Sequence, residues 1–363
     1  MTKPVPLIAH LIYCLDTGGL ERVMVNCISQ LSQGECRHVV ISLTHVTEFA
    51  NQLPKGVDVY SMHKRPGLDL VIHLRLWRLL RKIRPNVLHS YNLATLEYHP
   101  VAWFAGVRGH IHAEHGRDIS DPKGENKKHQ YLRRIISPFL QSYVAVSADL
   151  HQWLAKVIGI NERKCRLIAN GINTDRFQAL GAKLAPFTFI HVARLAAVKD
   201  QLTLLQATAL LRSQTTLPFQ LMVIGDGPER DRLKQAAESL GLAAPLIQWL
   251  GERRDIAELM AQSHVFVLSS IAEGIPMTVL EAMASGLAII STEVGGLPEL
   301  IGNTEGVLVP TKDAQAMATA MLGFLEAPDS ARSAGAKSRE RACAQFSEQA
   351  MVAKYLALYL EVS

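Results

Sequence analysis

The chain has 363 residues, 48% of them hydrophobic, and a formal net charge of +5. That length has room for about two domains, and the apolar content is that of an ordinary globular protein, which excludes a disordered or low-complexity chain. Five scattered cysteines (Cys14, Cys27, Cys36, Cys165, Cys343), with no Cys-x-x-Cys pair and no histidine at zinc spacing, argue for reduced thiols in a cytoplasmic protein and against a structural metal.

No stretch approaches the roughly 18 apolar residues of a membrane span. The first apolar run, 5–15, contains His10 and leads into glycines, so it reads as a strand and not as a signal peptide. The charge is uneven. Residues 1–178 carry 23 Lys and Arg against 14 Asp and Glu, a balance of +9, while 179–363 carry 15 against 19, a balance of −4. A basic first half suits an anionic partner such as a membrane surface, a phosphorylated acceptor or a nucleic acid.

In chain order, the first half alternates strand and helix. Strands are expected at 6–14, 38–43, 57–60, 86–89, 109–114, 143–146 and 166–169. Helical spacing appears at 20–31, 68–83, 93–105, 131–140 and 148–157, with a polar loop at 118–128. Residues 171–186 lack periodicity and read as a connection. The alternation then restarts, with strands at 187–192, 219–224, 246–249, 265–268, 288–291 and 306–309, and a tail from 313 of helices alone. The expected fold is α/β: two doubly wound, Rossmann-like parallel-sheet domains, 1–178 and 179–346, facing across a cleft lined by strand C-termini.

The stretch with most chemistry is 269–286, SSIAEGIPMTVLEAMASG, which follows an apolar strand. Gly274 and Pro276 make a turn, and a helix begins near Thr278 and ends at Gly286. Glu273 sits on the turn and Glu281 about one helical turn in. Two hydroxyl-binding carboxylates thus lie beside a helix N-terminus whose free N–H groups suit a phosphate, a combination that a sugar nucleotide needs. A helix dipole also favours a first-turn Glu, so the stretch alone reads either way.

Other candidates lie at strand ends. Gly18 and Gly19 follow the first strand and let a backbone approach a ligand, or form an ordinary turn. His115 follows the strand at 109–114, placed for a ligand hydroxyl or a developing cation, or as a solvated loop histidine. Arg194 and Lys199 follow the first strand of the second half. They suit a diphosphate clamp that also stabilises a departing nucleoside diphosphate, or are surface charge before a helix. Gly225-Asp226-Gly227-Pro228 reads first as a structural turn, and the loop around Arg253 as a base pocket or a plain loop. The helix with Arg75, Arg78, Arg81, Lys82 and Arg84 fits peripheral contact with an anionic membrane, or a core helix with a charged outer face. No Asp-x-Asp, His-Glu-x-x-His or P-loop is present, which makes a metal-held nucleotide unexpected.

Taken together, the Gly-Gly turn, the His after a strand, Arg-x4-Lys, Gly-x-Gly-Pro and Glu-Gly-x-Pro-x4-Glu resemble, in order and over essentially the whole chain, the family-4 glycosyltransferases of the GT-B fold. That resemblance implies a retaining, metal-independent transferase with no cofactor beyond its nucleotide-sugar co-substrate. It implies that Glu281 binds the donor ribose and Glu273 a hydroxyl of the transferred sugar, with backbone at Gly274, Ile275 and Pro276 touching that sugar. It assigns Arg194 and Lys199 to the diphosphate, helped by N–H groups of Gly18–Gly19 and of Thr278, Val279 and Leu280. His115 is implied beside the reacting carbon and, more weakly, Arg253 near the base. The final helix, 347–363, is implied to cross back to the first domain.

More loosely, the first half, with LERVMVNCISQL, 63–67 and 114–118, is similar to sugar transferases of PEP-CTERM/exosortase-type exopolysaccharide systems. This points to a lipid-linked glycan acceptor at the inner membrane face. Two other classes stay open: an epimerase or hydrolase of sugar nucleotides on the same fold, and a non-catalytic glycan- or nucleotide-binding protein. A nucleic-acid partner leaves Glu273 and Glu281 unexplained.

Overall fold

The computed structural model describes residues 5–31, 34–118, 121, 123–179 and 181–363. Positions 119, 120 and 122 of the expected polar loop, and 180 of the expected connection, lie outside the described residues. The chain divides into two units, one formed by the residues up to Gly171 together with Glu348–Ser363, the other by Ile172–Ser347.

The first unit is a seven-stranded parallel sheet: β1 (Leu7–Ile12), β2 (Arg37–Ser42), β3 (Asp58–Ser61), β4 (Val87–Tyr91), β5 (Gly109–Glu114), β6 (Ser142–Ala145) and β7 (Cys165–Leu167). Their order is β3-β2-β1-β4-β5-β6-β7, so the order reverses between β1 and β4. Connecting helices are α1 (Gly19–Leu31), α2 (Val71–Ile83), α3 (Leu93–Leu96), α4 (His99–Phe104), α5 (Lys127–Ile136) and α6 (Ala148–Gln152).

Several helix bounds depart from the periodicity, each for a local reason. The helix expected over 93–105 is two pieces, with Pro100 in the first turn of the second. The helix expected over 131–140 starts four residues earlier, where the Asn126 side chain accepts from Lys128 N–H, and gives way to a 3₁₀ turn at Pro138. The one expected over 148–157 widens into a π turn at Trp153–Ile158 and ends on Gly159 at φ 79°.

The second unit is a six-stranded parallel sheet of β8 (Phe187–Val192), β9 (Phe219–Ile224), β10 (Ile247–Gly251), β11 (Val265–Leu268), β12 (Ala288–Thr292) and β13 (Gly306–Val309), in the order β10-β9-β8-β11-β12-β13. Its helices are α7 (Gln201–Gln214), α8 (Arg230–Ser239), α9 (Ile256–Gln262), α10 (Met277–Ala284), α11 (Leu297–Leu300), α12 (Ala314–Glu326) and α13 (Pro328–Gln345). The strands read as continuous apolar runs because helices cover both faces. Phe189, Leu211, Val223, Val265, Ile290 and Met321 are among the residues that form the core on one face.

The last helix, α14 (Glu348–Val362), belongs to the first unit. Its Tyr359 hydroxyl meets His89 Nδ1 at 2.8 Å beneath the sheet. One face of that sheet is apolar, with Ala9, Leu11, Val39, Leu76, Leu80 and Tyr98 packed together. The strands also carry six buried histidines, His10, His38, His89, His99, His110 and His112 counting the one that opens α4, joined by hydrogen bonds to one another and to Tyr91 and Ser90.

Candidate functional site

In the second unit the order of strands reverses between β8 and β11, and the loops leaving these two strands carry the charged candidates. Lys199 lies in the turn after β8 and Glu273 in the loop after β11. Lys199 Nζ donates to Glu273 Oε1 at 2.5 Å, and the Ser270 hydroxyl donates to the same oxygen at 2.5 Å. The two charged side chains are 22% and 9% exposed. The exposed Arg194 has no ion-pair partner among the described residues. Arg253, by contrast, is held in a two-pronged pair with Asp255 at the surface, so its fork is already engaged.

The loop that carries Glu273 is fixed from two sides. Toward β8, Ser269 Oγ donates to the Lys199 carbonyl at 2.9 Å and Ile271 N–H to the Val198 carbonyl at 2.8 Å. Toward β12, Thr292 Oγ1 donates to the Ser270 carbonyl at 2.6 Å and Gly296 N–H to the Gly274 carbonyl at 3.0 Å. Gly295 stands at φ +54°, and a Cβ there lies only 1.8 Å from the Glu273 carbonyl oxygen. Gly295→Ala therefore has to displace the loop backbone as well as strain its own. We expect it to lower catalytic activity about tenfold or more while the cooperative melt persists, because one loop and not the core is moved. Steady-state rates beside a thermal melt check this, and unaltered activity rejects the role given to Gly295.

Helix α10 begins at Met277 after Pro276. Val279 and Leu280 N–H already donate to the Pro276 carbonyl, at 3.1 and 3.4 Å. Of the three helix-start amides expected to face a phosphate, Thr278 is the one without a backbone acceptor among the described residues. Glu281 is the fifth residue of α10 and is 6% exposed, with Ile275 and Pro276 also buried beside the helix start. Gly286, at φ +72°, ends the helix.

The Gly225–Gly227 turn presses on the backbone that carries Arg194. A Cβ at Gly225 lies 2.0 Å from the Ala193 carbonyl oxygen, and one at Gly227 lies 2.3 Å from that of Leu195. His191, fully buried in β8, bonds the Val267 carbonyl through Nδ1 at 2.9 Å, while Gln201 Nε2 spans from the Arg194 carbonyl at 3.0 Å to His191 Nε2 at 3.3 Å. Burial first, tempered by the Val267 bond, brings the His191 imidazole down to about 4, so it stays neutral and serves as a strut.

In the first unit, candidates follow the strands at its own reversal, β1 and β4, and the adjacent β5. Asn92, at φ 56° after β4, accepts from His115 N–H at 2.8 Å and donates its own N–H to the Ala113 carbonyl at 2.8 Å. Both His115 ring nitrogens are buried and have no hydrogen-bond partner among the described residues. Desolvation brings that imidazole down to about 3 despite the neighbouring Glu114 carboxylate. It is an uncharged ring with both nitrogens available.

Behind it, burial alone raises the Glu114 carboxyl. Arg133, bonding it through Nε at 2.6 Å and Nη2 at 3.1 Å, overrides that and with His112 holds it at about 2. Arg133 and Arg117 both lie over the Trp153 ring, at 4.8 and 5.5 Å. The Gly18–Gly19 turn is less open than its sequence suggests. Gly19 is already the first residue of α1, and a Cβ at Gly18 lies 2.1 Å from Glu21 Oε2, so a carboxylate covers that turn.

Ser270, Asn92 and the Gly295–Gly296 pair escaped the sequence reading as site residues. The two glycines in Val294-Gly295-Gly296-Leu297 directly after a strand were the available signal. Among the described residues no three His, Cys, Asp or Glu side chains are grouped to hold a metal ion.

The model for glycosyltransferase family 4 matches residues 17–176, and that for glycosyl transferases group 1 matches 173–341. The N-acetyl-alpha-D-glucosaminyl L-malate synthase of Bacillus anthracis is 33% identical over 84% of this chain and 82% of its own length. A UDP-Gal:alpha-D-GlcNAc-diphosphoundecaprenol alpha-1,3-galactosyltransferase of Escherichia coli is 26% identical over 70% of both chains. The crystal structure of Anabaena HepE in complex with UDP and glucose superposes at a TM-score of 0.82, with 19% identity, 98% of this chain and 100% of that chain covered. The fold class read from the sequence, two parallel-sheet α/β domains of GT-B type, is therefore met.

Proposed function

The chain belongs to the glycosyltransferases, its first half matching family 4 and its second group 1, and we propose that it moves a sugar from a nucleoside diphosphate sugar onto a lipid-linked glycan acceptor, with retention, in the synthesis of an envelope or extracellular polysaccharide. The observation that carries the reading is the Lys199–Glu273 pair at the strand reversal of the second unit, with exposed Arg194 on the same loop. In this reading a diphosphate is gripped by Lys199 and Arg194, freeing Glu273 for a sugar hydroxyl, while Glu281 takes the ribose and Thr278 N–H a phosphate oxygen.

Among the described residues of the second unit, no side chain is placed as an obvious nucleophile. Attack from the leaving-group face therefore fits, with a donor phosphate oxygen taking the acceptor proton. The cations stabilise the charge that develops on the departing diphosphate, which leaves no step for a metal ion. The acceptor class is supported by the name of the E. coli relative, and polysaccharide synthesis by relatives named for colanic acid and amylovoran biosynthesis. The looser likeness of the first half to exosortase-associated transferases agrees with it. Work on such an acceptor puts the enzyme at the cytoplasmic membrane face. No described helix is long and apolar enough to cross a membrane.

The test is a thermal-shift screen against UDP- and GDP-sugars with EDTA present. A ligand at about 100 times its dissociation constant adds roughly 2.7 kcal/mol. We expect a shift with one nucleotide class, insensitive to EDTA and lost in Glu281→Ala. A shift that survives Glu281→Ala, or that needs Mg²⁺, overturns the site as drawn. Release of free or epimerised sugar without an acceptor assigns the chain to another reaction.

A further inference from the structure

Strand β4 ends at Tyr91 and helix α3 begins at Leu93, so the chain turns within a single residue, Asn92. Tyr91 is paired with Ala113 of β5, and the Asn92 N–H continues that ladder to the Ala113 carbonyl at 2.8 Å. In a regular parallel ladder the next bond runs from the His115 N–H to the Asn92 carbonyl. Here that carbonyl is turned toward α3, where Thr95 donates to it through N–H at 3.1 Å and Oγ1 at 3.0 Å. The His115 N–H is met by the Asn92 side chain instead, whose Oδ1 accepts at 2.8 Å. One amide side chain stands in for the strand carbonyl that the turn has diverted.

The backbone is strained to do this. Asn92 has φ 56° and ψ 169°, close to a region that glycine occupies nearly alone. Glycine relieves the strain but has no oxygen to offer His115. Among the residues that enter positive φ most readily, Asn and Asp are the ones that carry a short acceptor side chain. Strain of this kind persists where the surroundings over-determine it, and it gathers at sites of function.

The residue fixed by this arrangement is His115. Its two ring nitrogens are covered and have no hydrogen-bond partner among the described residues, whereas buried polar atoms are ordinarily satisfied. A neutral imidazole donates at one nitrogen and accepts at the other, so a ligand rich in hydroxyls can complete both. The Tyr91 ring stands 5.8 Å from that of His115, and the Tyr91 hydroxyl is bonded to His10 and His89 in the core. Fixed core bounds the His115 ring on one side, and Asn92 sets its backbone.

We propose that Asn92 is a positioning residue: its side chain places His115, whose two ring nitrogens are completed by the bound sugar substrate. The effect on rate rests on the transfer reaction proposed above, while the placement of His115 is read without donor or acceptor. Asn92 itself touches no reacting atom. Its contribution is the register of one loop against the end of β4, and a displacement of about 1 Å there is enough to slow a reaction.

The test applies two readouts to Asn92→Gly and Asn92→Asp. The first is the His115 ring signal in NMR spectra of the histidine-labelled full chain without ligand, identified by its loss in His115→Ala. The second is steady-state release of nucleoside diphosphate from UDP-glucose, UDP-galactose and GDP-mannose, with N-acetylglucosaminyl-diphosphoundecaprenol as a lipid-linked acceptor. We expect Asn92→Gly to broaden or move the His115 signal and to lower kcat about tenfold, with the donor KM within about twofold. Its melting temperature is expected to hold or rise, because relief of backbone strain offsets the lost bond. Asn92→Asp keeps the acceptor and is expected to restore the signal and to bring kcat within about threefold of the unaltered chain.

An unmoved His115 signal in Asn92→Gly, or an unchanged kcat there, overturns the proposal. A rate loss that comes with a lower melting temperature and is not recovered in Asn92→Asp makes Asn92 a structural turn only, and overturns it too. Failure of the unaltered chain to turn over any of the three donors counts against the transfer reaction alone, and the His115 signal then decides the placement by itself.

Discussion

Lys199→Ala is expected to cut the transfer rate about 100-fold, the loss seen when one preorganised donor to a developing anion is removed. Lys199 Nζ sits 2.5 Å from Glu273 Oε1, and the turn holding it is tied to the Glu273 loop by Ser269 and Ile271. Its ammonium is therefore already in place before the leaving diphosphate gains charge, so the loss should fall on kcat more than on KM. Lys199→Arg should recover little, because a planar fork does not fit a point-charge position between a carboxylate and a phosphate.

The variant also strands Glu273, whose side chain is 9% exposed, with Ser270 as its remaining hydrogen-bond donor among the described residues. A stability loss of about 1–3 kcal/mol should accompany the rate loss. Glu273→Gln with Lys199→Ala separates the two, since the double variant should regain stability and not rate. A Lys199→Ala enzyme within threefold of normal transfer, folded and saturable with donor, removes the clamp from the mechanism.

Much of this was written in the sequence. Apolar runs buried on both faces announce parallel strands, and the glycines and prolines between them mark the loops. Two separate β/α series mean two sheets, and the β/α alternation alone places Arg194, Lys199, Glu273 and His115 after strands. What the sequence could not supply was the state of each side chain once placed. Arg253 and Lys199 are both cations after strands, yet one is locked to Asp255 at the surface and the other to Glu273 over the helix start.

Backbone amides followed the same rule. Val279 and Leu280 are committed to Pro276, and the glycine turn after β1 lies under Glu21. Gly295 was invisible as a determinant because its partner, the Glu273 carbonyl, is supplied by another loop. Spacing reports which residues share an element, and these contacts all cross between elements.

Lowering the pH from 7.5 to 5.0 is expected to destabilise the protein severely. Burial first, then neighbouring imidazoles, brings His10, His89 and His99 well below the ordinary value of 6.5, and burial alone brings His38 to about 4. His191 of the second unit is likewise held at about 4. Between the folded and unfolded values the unfolded chain binds more protons, so stability is full above about 6.5 and is lost as pH falls. At pH 5.0 each histidine kept neutral costs about 2 kcal/mol, and a handful of them match the roughly 5–15 kcal/mol that holds a domain together. Glu114 behaves oppositely. Held at about 2, its contribution persists until pH drops below the usual carboxylate range, so it cannot account for loss above pH 5.

The hydrogen bonds explain why these imidazoles resist a proton. The Val107 carbonyl requires an N–H at His110 Nε2, which leaves His110 Nδ1 to accept from His99 Nδ1–H, and His99 Nε2 to accept from the Ser90 hydroxyl. His10 is likewise engaged at both nitrogens, by Tyr91 and His38. His10, His99 and His110 are each donor on one side and acceptor on the other, so a second proton there has to break a buried bond as well as introduce a charge. Thermal melts from pH 7.5 to 5.0 should show the first unit failing first, and His99→Gln should flatten the pH slope by close to one proton. A melting temperature that is level or rising over that range rejects the account, since a sheet whose buried histidines carry charge gains nothing from higher pH.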